Sequence, residues 1–149
     1  MIRRIKIGFT HAEVYNVNTL RAEFSPNGPP NIPEFGSITT QSGLNNLYDM
    51  DTIQHIKKDT QYPPVMVTTG LNDPRVSSWE PAKLAAALRA SGTTRPVLLR
   101  LDEDAGHGIG STKTQMDALT ADWIAFTFWR AGLPEWQPIS EKQIQHSKL

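Results

Sequence analysis

The 149-residue sequence contains no cysteine. That excludes a disulfide framework, a thiol nucleophile and any thiolate-bound metal. It has no apolar run approaching the roughly 20 residues that a membrane-spanning helix requires. The basic opening Met1–Lys6 is not followed by an apolar segment of signal-peptide length. Excess charge of either sign is lacking too, since 15 lysines and arginines balance 15 aspartates and glutamates. That balance favours neither nucleic acid nor an anionic membrane surface, and neither is expected as a partner. Internal repeats and low-complexity tracts are also missing.

The chain is well supplied with proline (11) and glycine (10), which suits a loop-rich fold and not a helical bundle. Four prolines fall in Phe24–Gly36 (FSPNGPPNIPEFG) and predict an extended, shaped loop with neither helix nor regular strand. Before it, Ala12–Val17 (AEVYNV) reads as a short strand. Within Gly43–Ile56, the residues Leu44, Leu47, Tyr48, Ile53 and Ile56 predict two short helical turns joined at Asp49 or Asp51. Pro64–Thr69 (PVMVTT), closed by Gly70, reads as a buried strand, and Pro96–Leu101 (PVLLRL) as a second. Between them, Trp79–Ser91 reads as a helix carrying Leu84 and Leu88 on one face, with Gly92 just past its end. Met116, Leu119, Trp123 and Phe126 recur at helical spacing and predict a long amphipathic helix over Ser111–Arg130. Ser111 or Thr112 caps its start, and Gly132 with Pro134 ends it. The polar remainder, Glu135–Leu149, is expected to be partly ordered at most. Strand, loop and helix, twice over, is the rhythm of an α/β fold in which parallel strands carry flanking helices.

In such folds the chemistry collects on loops leaving the C-terminal ends of strands. Two loops qualify. Gly70–Val76 (GLNDPRV) presents Asp73, either as an acid held rigidly at the sheet's edge or as an Asx residue capping a turn before Pro74. Asp104–Gly110 (DAGHGIG) presents His107 between glycines, either as an acid–base or as a surface histidine in a flexible loop. The two are 34 residues apart, acid before base, with one helix between. α/β-Hydrolases run serine, acid, histidine, each on a loop after a strand. His107 with Asp102, Glu103 and Asp104 also offers metal ligands. No H-E-x-x-H or paired-histidine spacing supports such a site, however, and neither a metal nor a cofactor is expected.

Three segments carry a resemblance to a known family. Tyr62–Leu88 (YPPVMVTTGLNDPRVSSWEPAKLAAAL) is similar to the region around the triad acid of prolyl oligopeptidase-family serine peptidases. Pro96–Gly110 (PVLLRLDEDAGHGIG) resembles their region around the triad histidine. Leu20–Gly36 (LRAEFSPNGPPNIPEFG) resembles the long loop that bacterial members place before those two. The likeness runs over Val14–Pro138, in the family's order. It implies a partial α/β-hydrolase fold in which residues 14–138 are the C-terminal part of a catalytic domain, 1–13 a poorly matched lead and 139–149 a polar tail. By the same resemblance Asp73 is the triad acid, His107 the general acid–base, and Arg75 the arginine that hydrogen-bonds a carbonyl of the bound peptide. Trp79 either lines the site or, more in keeping with its size, sits in the core. His11, His55 and His146 match no catalytic motif and are expected to be structural or exposed.

The departure from the family is in the nucleophile. No serine of the chain stands in a Gly-x-Ser-x-Gly turn. By the family's order that motif should precede Val14 by a few tens of residues. The first dozen residues, MIRRIKIGFTHA, are the least family-like, in keeping with an internal or miscalled start at Met1. The expected partners are therefore a peptide substrate in the full-length enzyme and the missing N-terminal part of the catalytic domain, with the chain inactive alone. A complete small esterase or thioesterase is argued against by the absence of both a serine elbow and a cysteine. A non-catalytic α/β interaction module, or the remnant of a hydrolase, is the alternative.

Overall fold

The computed structural model describes residues 8–10, 28–107 and 112–137. The expected strand at Ala12–Val17 and the tail after residue 137 lie outside them. Three parallel strands form the sheet in the order β1 (Gly8–Thr10), β2 (Val65–Gly70), β3 (Val97–Asp102). Val65 of the central strand is level with Gly8 on one side and Val97 on the other. Gly70 is level with Asp102, so the loops after β2 and β3 leave the sheet side by side. Every residue of β2 is buried. That is why its sequence is nearly continuous in apolar residues and does not alternate.

Among the described residues four α-helices accompany the sheet: α1 (Ile32–Phe35), α2 (Gln41–Met50), α3 (Trp79–Ala90) and α4 (Lys113–Ala131). α3 packs Leu84, Ala85 and Leu88 against Val65, Val67 and Val97, with Ile53, Ile56, Tyr62 and Leu99 around the margin. Positions 84, 85 and 88 share one helix face, so a single stripe suffices to cover the strands. Gly92 stops the helix at φ +84°, a conformation that favours glycine. α4 begins with a reciprocal cap: the Thr112 hydroxyl accepts the Gln115 N–H, and the Gln115 side chain accepts the Thr112 N–H. Of its expected apolar stripe Leu119 and Phe126 are buried, while Trp123 is half-buried and Met116 exposed.

Three expectations need correction. The described part of Phe24–Gly36 is not extended: Pro29–Asn31 form a 3₁₀ turn that runs into α1. Pro29, Pro30 and Pro33 fall in the first turns, where a missing N–H removes no intrahelical bond. The two short turns expected after Gly43 are instead a ten-residue helix, α2, followed by a 3₁₀ turn over Thr52–His55. The junction is Asp51, whose carboxylate accepts the N–H of Ile53 at 3.0 Å. Trp79 is not a core residue. It is 36% exposed, and the Lys83 ammonium lies 4.8 Å from its ring centre.

Candidate active site

The loops after β2 and β3 are stitched together from their first residue. Leu71 N–H donates to the Asp102 carbonyl at 2.9 Å, and Asn72 N–H to the Ala105 carbonyl at 3.1 Å. The Asn72 side-chain amide donates to the Glu103 carbonyl at 2.9 Å. Gly70 makes this approach possible. A methyl group there would come within 2.2 Å of the Ala105 carbonyl oxygen and 2.6 Å of that of Gly106.

Asp73 and His107 meet at the far side of this seam. His107 Nδ1 lies 2.8 Å from Asp73 Oδ2, with the two side chains 5% and 0% exposed. The other carboxylate oxygen, Oδ1, accepts the backbone N–H groups of Arg75 (2.8 Å) and Val76 (2.9 Å). The alternative drawn from sequence, a turn-capping aspartate before proline, is thus also present. One oxygen of Asp73 caps its turn and the other faces the imidazole. Three hydrogen bonds leave the carboxylate little freedom to rotate, and the histidine ring is oriented by a group that is itself held.

Arg75 lies on the exposed outer side of the same turn. Of the remaining histidines, His55 is exposed at the end of the 3₁₀ turn that follows α2, its Nε2 3.1 Å from the carbonyls of Tyr48 and Asp49. His11 and His146 lie outside the described residues. Among the described residues no three histidine, aspartate or glutamate side chains come together as metal ligands.

A second carboxyl near the pair went unnoticed in the sequence. Glu80, in the first turn of α3, is buried, and its pKa is raised from 4.5 to about 7. Burial is the main cause and the Asp73 charge adds to it, while a hydrogen bond from the Ser77 backbone opposes both. The signal was there in Ser77-x-x-Glu80, a capping-box pattern ahead of the α3 apolar stripe. An acid whose pKa is higher in the folded chain favours folding fully below pH 4.5, and that contribution is lost as pH rises through about 7. Glu80→Gln is accordingly expected to raise Tm above pH 7 by roughly 5 °C and to leave it unchanged below the unfolded carboxyl's pKa. Thermal denaturation at the two ends checks this; equal shifts at both would contradict it.

Comparison with known proteins bears on these loops. The model of the prolyl oligopeptidase family matches residues 7–133, from just before β1 to just after α4. The chain is 31% identical over 111 residues to prolyl oligopeptidase A of Galerina marginata, an alignment covering 73% of this chain and 15% of that protein. It is 33% identical over 88 residues to the prolyl endopeptidase of Elizabethkingia meningoseptica, covering 58% and 12%. Its backbone superposes on a solved prolyl endopeptidase structure with a TM-score of 0.76 at 24% identity, covering 82% of this chain and 18% of that one. The chain therefore spans less than a fifth of the length of each of these relatives.

Proposed function

This chain belongs to the prolyl oligopeptidase family of serine peptidases, and from that premise we propose that it supplies the acid and the histidine of a peptide-hydrolysing site whose serine lies outside these 149 residues. The observation that carries the reading is the buried contact of 2.8 Å between His107 Nδ1 and an Asp73 carboxylate whose second oxygen is already engaged.

The geometry supports the following roles. Asp73 fixes the proton on Nδ1, which leaves Nε2 as the basic nitrogen. Nε2 takes the serine proton as the serine oxygen attacks the peptide carbonyl. The imidazolium so formed is stabilised by Asp73 and later protonates the leaving amine. Water then repeats the sequence on the acyl-enzyme. Arg75, two residues beyond the acid and exposed, offers fixed guanidinium donors to a carbonyl of the bound peptide. Several relatives are named for prolyl cleavage, which makes proline-containing peptides the first substrates to test.

Without a Gly-x-Ser-x-Gly motif, these 149 residues supply neither the nucleophile nor the backbone donor that follows it. Losing one oxyanion donor alone typically costs about 10²–10³ in rate. The partner implied is the N-terminal part of the catalytic domain. The purified 149-residue chain is expected to release no chromophore from a proline-containing chromogenic peptide. Turnover by protein of the correct mass would overturn the assignment of the nucleophile to a position outside these 149 residues.

A further inference from the structure

We propose that Arg100 is a positioning residue for His107, acting through Asp102 and anchored on Asp122 of α4. The inference rests on the reading of Asp73 and His107 as acid and base. It adds the means by which the histidine loop is held.

The connection can be followed atom by atom. Val97 and Leu99 of β3 turn toward the α3 side of the sheet, so Arg100, offset by one, turns toward α4. Its Nε donates to Asp122 Oδ2 at 2.5 Å, and its Nη1 lies 3.4 Å from Asp102 Oδ2. The other oxygen of Asp102 accepts the N–H groups of Asp104 (3.2 Å) and Ala105 (3.0 Å). Those two bonds form the turn that begins the histidine loop. The Ala105 carbonyl accepts in turn from Asn72, which immediately precedes the acid. A continuous polar path thus runs from α4 through Arg100 and Asp102 into the loop, and ends two residues before His107.

Stability alone does not explain this arrangement. The Arg100 side chain is only 19% exposed, and taking a guanidinium and a carboxylate out of water costs free energy that a packed apolar pair would not. The space beside Arg100, Asp102, Gly70, Gly106 and Met116 is about 20 Å³, room for one water. A planar fork with donors on two sides can join two carboxylates in fixed geometry, which a lysine ammonium cannot do as rigidly.

The test is proton NMR of the 149-residue chain with ¹⁵N-labelled histidine, reading solvent exchange of the low-field His107 Nδ1–H. Arg100→Met is expected to accelerate that exchange about tenfold, with Arg100→Lys intermediate. Leu84→Ala, which destabilises through the α3 core, serves as the control: it is expected to lower Tm without faster exchange. Should Arg100→Met fail to fold, Asp122→Asn on the half-exposed face of α4 frees one arm of the guanidinium and is expected to accelerate exchange in the same direction. Unchanged exchange in a folded Arg100→Met or Asp122→Asn chain would overturn the positioning role while leaving the acid–base pair intact. Absence of the Nδ1–H signal from the unsubstituted chain would instead contradict the pair itself, and the proposal with it.

Discussion

In an enzyme assembled from this chain and a serine-bearing segment, Asp73→Asn lowers kcat about 10⁴-fold and His107→Ala about 10⁶-fold. One such enzyme is the prolyl endopeptidase of Elizabethkingia meningoseptica carrying this chain in place of its matching segment. The asparagine is nearly isosteric, and its oxygen can still accept from Arg75 and Val76. Its NH₂ then faces His107 Nδ1, where an acceptor is needed. The imidazole must offer a lone pair at Nδ1 and carry its proton on Nε2, the tautomer that cannot take a proton from serine. Substrate binding depends on other groups, so KM is expected to change little. Steady-state kinetics separate the two parameters. A loss of less than tenfold for Asp73→Asn would mean that the 2.8 Å contact serves the fold and not the reaction.

The second large effect is at a residue that touches no substrate. Gly70→Ala is expected to lower kcat/KM about 10²-fold, because a displacement of about 1 Å at a reacting group costs roughly that much. The new methyl group would meet the carbonyl oxygens of Ala105 and Gly106 at 2.2 and 2.6 Å. Both are backbone atoms, so no side chain can swing aside, and the histidine loop itself must move away from Asp73. Gly106→Ala is the informative contrast. A methyl group there meets the Asn72 carbonyl oxygen at 3.5 Å and Pro74 Cδ at 3.9 Å, ordinary contacts. Its cost in kcat/KM should be far smaller. Equal losses at the two glycines would point to general loop disturbance and away from a seam centred on Gly70.

The parts of the fold that were legible in the sequence are those governed by local rules. β2 and β3 declared themselves as apolar runs, α3 and α4 by periodicity and by their glycine stops at Gly92 and Gly132. The meeting of Asp73 and His107 was legible because strand, loop and helix alternate, which puts both loops at one end of a parallel sheet. What escaped depends on contacts across space. The Asn72 amide reaches a carbonyl 31 residues away, and only the register of β2 against β3 makes them neighbours. Arg100 looked like one more strand residue until α4 brought Asp122 to it. Glu80 belongs to a capping pattern, and the influence of the Asp73 charge on it exists only in the folded chain. The helical turns at Pro29–Phe35 were missed for a different reason. Proline breaks a helix interior, but in a first turn its fixed φ and missing N–H are well suited to helix.

The most direct test of the central claim is active-site labelling with a fluorophosphonate, read by mass spectrometry. In the assembled enzyme the account predicts a single adduct on the serine of the supplied Gly-x-Ser-x-Gly turn, lost when His107 is replaced by alanine, and none on this chain by itself. An adduct on one of the chain's own serines, or labelling undiminished by His107→Ala, would contradict it.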